Sequence, residues 1–576
     1  MSQEMSRRKF IEITGATAAW AAIASTGLYA GWGKNKADIY ADAIPVKEYY
    51  SDVLVIGSGM AGLFAAVKAH DAGAKVTMVS KGRLGSSGMT PFAKGIFAFD
   101  PKTSKYSIDE FVAEVTRSAE GSNNPVYTRQ LAEHSLARVK ELRQWGFFDS
   151  PLYHKSFSRP INQRKIPVIE RVTITHLVKD NGKITGAAGF SIDQKQVYFF
   201  HAKSIVLCTG AGGFKPNGFP MNDLTHDGTV MAYKIGAKVT GKEWVDGHVA
   251  HALHPADSFN GWHDMFLQKP NTTSVEIHHD LGVELNYREY KLGNPISMMG
   301  PGQQKEEKKL TGGPYVPKGF NHPEPHKVPP SGGMHHPDGP RPKGAPPGMG
   351  GNVVGGATAG LAIHKSEGIA PVNDRCASNI PGLFAAGDAL GSHMSGGIYT
   401  QIGSSLAGSA VQGAIAGEEA AKFAKHRAIN PISNEKKKSI QKEIFAPLNR
   451  KEGYSPAWVT QTLQGIMIPN FILYIKKEKL MQAALAYVEE LRDHHLPMLK
   501  AGDLHELRLA HETANMIISA EMKLRASLMR TESRGSHFRL DYPAADNENW
   551  WQTWINIFQG DDGSMQLEKQ RFSEWH

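Results

Sequence analysis

Gly57, Gly59 and Gly62 form G-x-G-x-x-G directly after the apolar run Val53–Ile56. In such a motif the first glycine permits a tight turn. The second lets backbone approach a pyrophosphate, and the third lets a helix pack close to a strand. A helical pattern then runs from Met60 to Ala72, stops near Gly73, and gives way to a strand pattern from Lys75 to Ser80. Strand, glycine loop, helix and strand make one βαβ unit, the context in which this motif holds a dinucleotide. The second strand ends in Ser80 and Lys81, not in the acidic residue usual for NAD. A serine hydroxyl still suits a ribose or an adenosine phosphate, and Lys81 argues against a plain NAD site.

Other chemistry is narrowed by what the chain holds. Cys208 and Cys376 are the two cysteines, too few for an iron–sulfur cluster or a thiolate zinc site within this chain. No C-x-x-C-H occurs, which excludes covalent c-type haem. His322, His326, His335 and His336 lie in a stretch rich in Pro, Gly, His and Lys, from Pro301 to Gly351. They lack ligand spacing and a supporting acidic cluster, so no metal is assigned. So long a loop is uncommon without a task, such as covering an active site or gripping a partner. The formal net charge is +9, spread along the chain without a nucleic-acid motif. That balance suits anionic substrates or an acidic redox partner and excludes nucleic acid as the expected ligand.

The supporting elements follow from periodicity. Tyr106 to Trp145 reads as helical. Asn162 to Gly189 reads as extended, with Asn181-Gly182 a hairpin turn. Ser204–Cys208 is a buried strand that closes in the loop Thr209-Gly210-Ala211-Gly212-Gly213. Pro381 to Asp388 ends another strand in a glycine turn, and Ala410–Ala421 is a helix of small residues. Lys436 to Leu528 carries apolar residues at helical spacing. At the start, Ser6-Arg7-Arg8-Lys9-Phe10-Ile11 resembles a twin-arginine export signal, followed by a mild apolar stretch and an A-x-A cleavage candidate at Ala41-Asp42-Ala43. A retained anchor is the alternative.

Four further segments carry a resemblance: SSGMTPFAKG at Ser86–Gly95, AKSIVLCTGAGG at Ala202–Gly213, IPGLFAAGDA at Ile380–Ala389 and RTESRGSHFRLDYP at Arg530–Pro543. In this order, with the βαβ unit, the chain resembles the flavoprotein subunit family of succinate dehydrogenase and fumarate reductase, which includes the related adenylylsulfate reductase. The resemblance implies FAD. It places Gly57, Gly59, Met60, Gly62, Ser80 and Lys81 on the cofactor, joined by Ser87, Met89, Thr90 and Gly95. Thr209, Gly210 and Asp227 form a second contact, with Asp227-Gly228 in place of the usual G-D-G. Gly387 and Asp388 follow, and Ser404, Ser405 and Leu406 open a helix whose N-terminus favours negative charge on reduced flavin. Met89 holds the place of the family's covalently linking histidine, so dissociable FAD is expected. The charges of Arg530–Arg539 either are structural or line the flavin side.

The substrate half departs from the pattern. Glu243-Trp244-Val245-Asp246-Gly247-His248 resembles E-F-x-Q-F-H, which makes His248 the candidate substrate histidine, with His254 a rival. Gly351 stands where the family has a clamp histidine. Thr400 stands where it has a clamp arginine; a one-residue shift selects Gln401 instead. Tyr399 and His393 offer less charged contacts, and Arg288 is the candidate proton donor. An unpaired carboxylate is costly, so the sequence points to a conjugated enone, enoate or oxygenated ring, with fumarate a poor substrate.

The expected fold class is α/β: a Rossmann-like FAD-binding domain with an inserted substrate-capping domain and a C-terminal helical domain. The expected boundaries are a signal at 1–43, FAD-binding segments at 44–235 and 351–430, a capping region at 236–350, and a mostly helical domain at 431–576. The expected activity is FAD-dependent reduction of a conjugated C=C bond in a small-molecule substrate. The alternatives are a dehydrogenase of the same fold, including a true succinate/fumarate enzyme, or an adenylylsulfate reductase-like flavoprotein. Electrons are expected from a separate carrier, a cytochrome or an iron–sulfur protein. The place of action is expected to be the periplasm or the outer face of the cytoplasmic membrane, with no stable membrane span beyond the signal.

Overall fold

A computed structural model describes residues 44–214, 224–245, 249–251, 267–273, 353–358, 360–361, 366–397, 401, 403–468, 470–473 and 475–575. The export signal, His248, His254, Arg288, the loop from Pro301 to Gly351, Tyr399 and Thr400 lie outside the described residues.

β1 (Val46–Ile56) carries the βαβ unit. Its second half, Val53–Ile56, is buried on both faces, as a central parallel strand must be. α1 (Met60–Asp71) follows the glycine loop, and Gly73, at φ +90°, turns the chain back into β2 (Val76–Val79). β3 (Gly95–Phe97) leads to two helices, α2 (Ile108–Ser118) and α3 (Pro125–Gln144). The helical pattern from Tyr106 to Trp145 is thus split. Asn124 accepts a hydrogen bond from Val126 N–H and Pro125 takes the first turn, a strong start signal for the second helix.

β4 (Val168–Ile169), β5 (Val172–Asp180), β6 (Lys183–Ser191) and β7 (Gln196–Leu207) complete the main sheet, whose order is β4-β2-β1-β7-β6-β5. β1 pairs in parallel with both β2 and β7. β5 and β6 form the expected hairpin, with Asn181 at φ +47° and Gly182 at φ +75°. Next come α4 (Asp227–Lys234) and the short strand β8 (Val239–Thr240). β9 (Val249–His251) pairs antiparallel with β10 (Val353–Thr358). β11 (Gly368–Ile369) pairs with β8. The chain re-enters the main sheet with β12 (Leu383–Ala385), which lies parallel to the last residues of β7. α5 (Ser404–Ala424) then packs on α1 with almost no space between them. A Cβ added to Gly413 would stand 2.3 Å from Ala61 O, and one on Gly417 the same distance from Ala65 O.

The C-terminal region contains α6 (Asn434–Asn449), α7 (Pro456–Met467), α8 (Glu478–Glu490) and the long α9 (Leu504–Met529). It does not end helically. β13 (Thr553–Gln559) and β14 (Met565–Arg571) form a hairpin, and β13 pairs with β8. The last strands of the chain therefore brace β8. No described helix is long and apolar enough to cross a membrane.

The charged segment after α9 is structural packing. Arg530 is fully buried and pairs with Glu243 and Glu532, each at 2.8 Å, while its guanidinium lies 4.6 Å from the Trp244 ring and 4.5 Å from Trp550. Arg534 shares Glu532, and Arg539 pairs with Asp541 and Glu478. None of these residues lines the cleft described next.

Candidate functional site

A cleft of about 910 Å³, counting its part open to solvent, lies at the carboxyl ends of β1, β2, β7 and β12. Parallel strands present their ligands at that edge. The glycine loop shapes one wall. Gly57 has φ +112°, and a Cβ there would meet Cys208 O at 2.1 Å. A Cβ on Gly62 would meet Gly57 O at 2.0 Å, so Gly62 serves the close packing of α1 and does not line the cleft. α1 starts at Gly59 with no side-chain cap and no acidic residue in its first turn, which leaves a positive helix end at the cleft. Met60 N–H donates to Thr90 Oγ1 at 3.1 Å, which ties the Ser86–Gly95 segment to the helix start.

The ribose end is polar and internally paired. Ser58 Oγ donates to Ser80 Oγ at 2.7 Å. Lys81 Nζ donates to Thr225 Oγ1, Asp227 Oδ2 and Glu512 Oε1 at 2.9, 2.8 and 2.9 Å. The lysine charge is thus countered by two carboxylates, one of them carried by α9. The same face of α9 places Asn515 Nδ2 2.9 Å from Asp227 Oδ1, which the amide donates to, and Ser519 Oγ 2.9 Å from His226 Nδ1.

Of the sequence-selected cofactor residues, Gly57, Gly59, Met60, Ser80, Lys81, Ser87, Met89, Thr90, Thr209, Gly210, Asp227, Gly387 and Asp388 line the cleft. Gly95, Ser404, Ser405 and Leu406 do not; Gly95 sits in β3 against Gly403, and Ser404 Oγ donates to Gln401 O at 2.9 Å. The cleft also takes in Val172 and Ile174, whose i, i+2 spacing puts them on one face of β5. Ser58, Cys208, Met231 and Ser409 join them. The wall fits FAD. Thr209 Oγ1 is buried there without a hydrogen-bond partner among the described residues. Gly88 and Gly210, at φ +72° and +73°, look onto open space where a side chain would stand.

His393 is the described member of the four catalytic candidates. It is buried, not on the cleft, with Nε2 3.3 Å from Thr240 Oγ1 and its ring stacked 5.2 Å from Trp554. Burial, and then the charge of Arg530, push its imidazole down to about 3, so it stays neutral at physiological pH. A neutral, stacked ring suits the wall between β8 and β13 better than proton donation.

Two family descriptions match the chain: an FAD binding domain over residues 52–164, and a fumarate reductase flavoprotein C-terminal region over residues 460–574. In these two stretches the chain matches the succinate dehydrogenase/fumarate reductase flavoprotein family. It is 25% identical over 570 residues to a subunit of the CoM/CoB fumarate reductase of Methanothermobacter marburgensis, covering 86% of this chain and 95% of that one. Among solved structures, Mycobacterium smegmatis Sdh1 in complex with UQ1 superposes with a TM-score of 0.68 at 22% identity, over 91% of this chain and 94% of that one. Adenosine-5-phosphosulfate reductase in complex with sulfite gives 0.70 at 20% identity, over 94% and 99%. At those identities the two likenesses are of fold. The protein is an FAD-dependent oxidoreductase of a family that acts on CH–CH bonds.

Within this flavoprotein family the residue at position 89 has a direct consequence. Met89 lines the cleft where a linking histidine would stand, and a thioether does not form that bond. Acid precipitation of the holoprotein is expected to release all flavin into the supernatant. Yellow colour retained in the pellet would contradict this.

Proposed function

We propose that the protein transfers hydride between FAD and the carbon–carbon bond of a small unsaturated acid, in the manner of fumarate and succinate. Similarity along nearly the whole length of a fumarate reductase subunit, joined to a cleft built for FAD, carries the reading. FAD, when bound, supplies the hydride chemistry. The chain must hold the substrate, exclude water, and provide a proton on the opposite side. Arg288 and Tyr399 are the proposed proton donors, and His248 the proposed substrate contact. A phenol, with an ordinary pKa of about 10, is a workable acid toward an enolate-like centre.

The departures at Gly351 and Thr400 favour a second reading, a less charged enone or enoate. Adding fumarate and a cyclic enone in turn to anoxic, pre-reduced protein separates the two. Rapid flavin reoxidation by fumarate is the expected result. Reoxidation by the enone alone would transfer the assignment to the second reading, and reoxidation by neither would defeat both.

Electrons are proposed to come from a separate cytochrome or iron–sulfur protein, because this chain has no C-x-x-C-H for covalent haem and too few cysteines for a cluster. Export by the twin-arginine route to the periplasm, or to the outer face of the cytoplasmic membrane, is proposed from Arg7 and Arg8. Cofactor binding is linked to folding, which suits export after FAD is seated. Replacing both arginines with lysine is expected to leave active protein in the cytoplasm. Unchanged periplasmic activity would refute the route.

A further inference from the structure

Four sulfur atoms line the cleft among the described residues, those of Met60, Met89, Met231 and Cys208. Three of them are shut in. Met60 is 1% exposed, Met231 2% and Cys208 7%. Burial also raises the Cys208 thiol well above its usual range, and a buried, protonated thiol is inert toward oxidants. Met89 alone of the four is half-buried. A thioether needs no deprotonation to react, so access decides its fate. Beside it, Gly88 at φ +72° has no atom except those of its chain neighbours within 4 Å of where a Cβ would stand. The backbone here is fixed. Met89 O accepts from Phe92 N–H at 3.1 Å in the 3-10 turn Thr90–Phe92. Met89 thus stands one residue before the bond from Met60 N–H to Thr90 Oγ1, which ties this segment to the start of α1.

We infer that Met89 is an oxidation site, converted to its sulfoxide by hydrogen peroxide released in the cleft. Dioxygen that takes two electrons and two protons from reduced flavin leaves as hydrogen peroxide. The peroxide gives one oxygen atom to the thioether and departs as water, so sulfur is oxidised and peroxide reduced. A soft apolar contact on the FAD wall becomes a polar, chiral one. That change weakens retention of FAD, and a chain without flavin makes no more peroxide. The inference rests on the FAD reading of the cleft, not on the choice of substrate.

The test uses flavin-loaded protein, reduced without air by a stoichiometric amount of dithionite and then aerated, through repeated cycles. Catalase in the buffer removes peroxide that escapes the cleft. FAD-stripped protein passes through the same cycles. Met498, 42% exposed and off the cleft, is the reference. Peptide mass spectrometry reads the fraction of each methionine that has gained an oxygen. In loaded protein Met89 is expected to exceed Met498 about fivefold or more, and in stripped protein to lose that lead. Met498 oxidised ahead of Met89 in loaded protein, or the same lead in stripped protein, would overturn the inference. The cycled chain is expected to lose a larger share of its flavin than Met89→Leu taken through the same cycles, read as the flavin-to-protein ratio. Met89→Gln, a polar stand-in for the sulfoxide, is expected to bind FAD about tenfold or more weakly than Met89→Leu. Equal flavin loss together with equal FAD affinity would overturn the link to retention. A purified chain that takes up no FAD at all would defeat the cofactor reading itself, an outcome distinct from a change in which methionine is oxidised first.

Discussion

Arg530→Met lowers the stability of the folded protein by about 3–5 kcal/mol. The guanidinium is fully buried and neutralises Glu243 while sharing Glu532 with Arg534. It also donates to Thr553 O at 2.9 Å, just where β13 begins. Methionine fills much of the space between Trp244 and Trp550 but leaves Glu243 as a buried charge without its cation. Removing one partner of a buried pair is far more costly than removing both. Denaturant unfolding, with FAD release followed in parallel, gives the loss. The double variant Arg530→Met with Glu243→Gln is expected to recover part of it. A loss below about 1 kcal/mol for the single variant would show that the network is not needed for stability.

Gly57→Ala abolishes retention of FAD. The added Cβ would stand 2.1 Å from Cys208 O, and the backbone at φ +112° is one that a residue with a side chain rarely adopts. Relief requires the ends of β1 and β7 to part, and both carry the cleft. The expected weakening of FAD binding is about 100-fold or more, read as the flavin-to-protein ratio after gel filtration. Gly73→Ala is the control. It has a similar positive φ, +90°, but open space around it. It should lose some stability and keep its flavin. Equal flavin loss in both variants would show that backbone strain, not the contact with Cys208, is responsible.

The FAD half of the fold was legible because its signals are local. A buried strand, three glycines and a helix of small residues fix each other within about one βαβ unit. The first half of β1 was not legible. Val46 to Ser51 mixes Lys47 and Glu48 with tyrosines, and it becomes a strand by pairing with β7 far along the chain. The mostly helical C-terminal domain was read from the apolar spacing of Lys436 to Leu528, which left the hairpin beyond it, Thr553–Gln559 with its turn at Gly563, φ +81°, unassigned. At the site, glycines and serines near the phosphates were found from motif spacing. Val172 and Ile174 carry no motif of their own; only their strand could be read, and which of its faces turns to the cleft shows in the structure. The pairing of Lys81 with Glu512 is invisible from either segment alone, since 431 positions separate them.

The pairing of β8 with β13 sets a schedule for synthesis. Thr240 Oγ1 donates to Ile555 O across 315 positions, so β8 waits for almost the last residues made. At about 5–20 residues per second, that wait lasts roughly 15–60 s. The glycine loop, the cleft-lining strands and the loop after β7 are all translated before it ends. A chain stalled before the final hairpin therefore has every cleft-lining residue made but lacks the partner strand of β8.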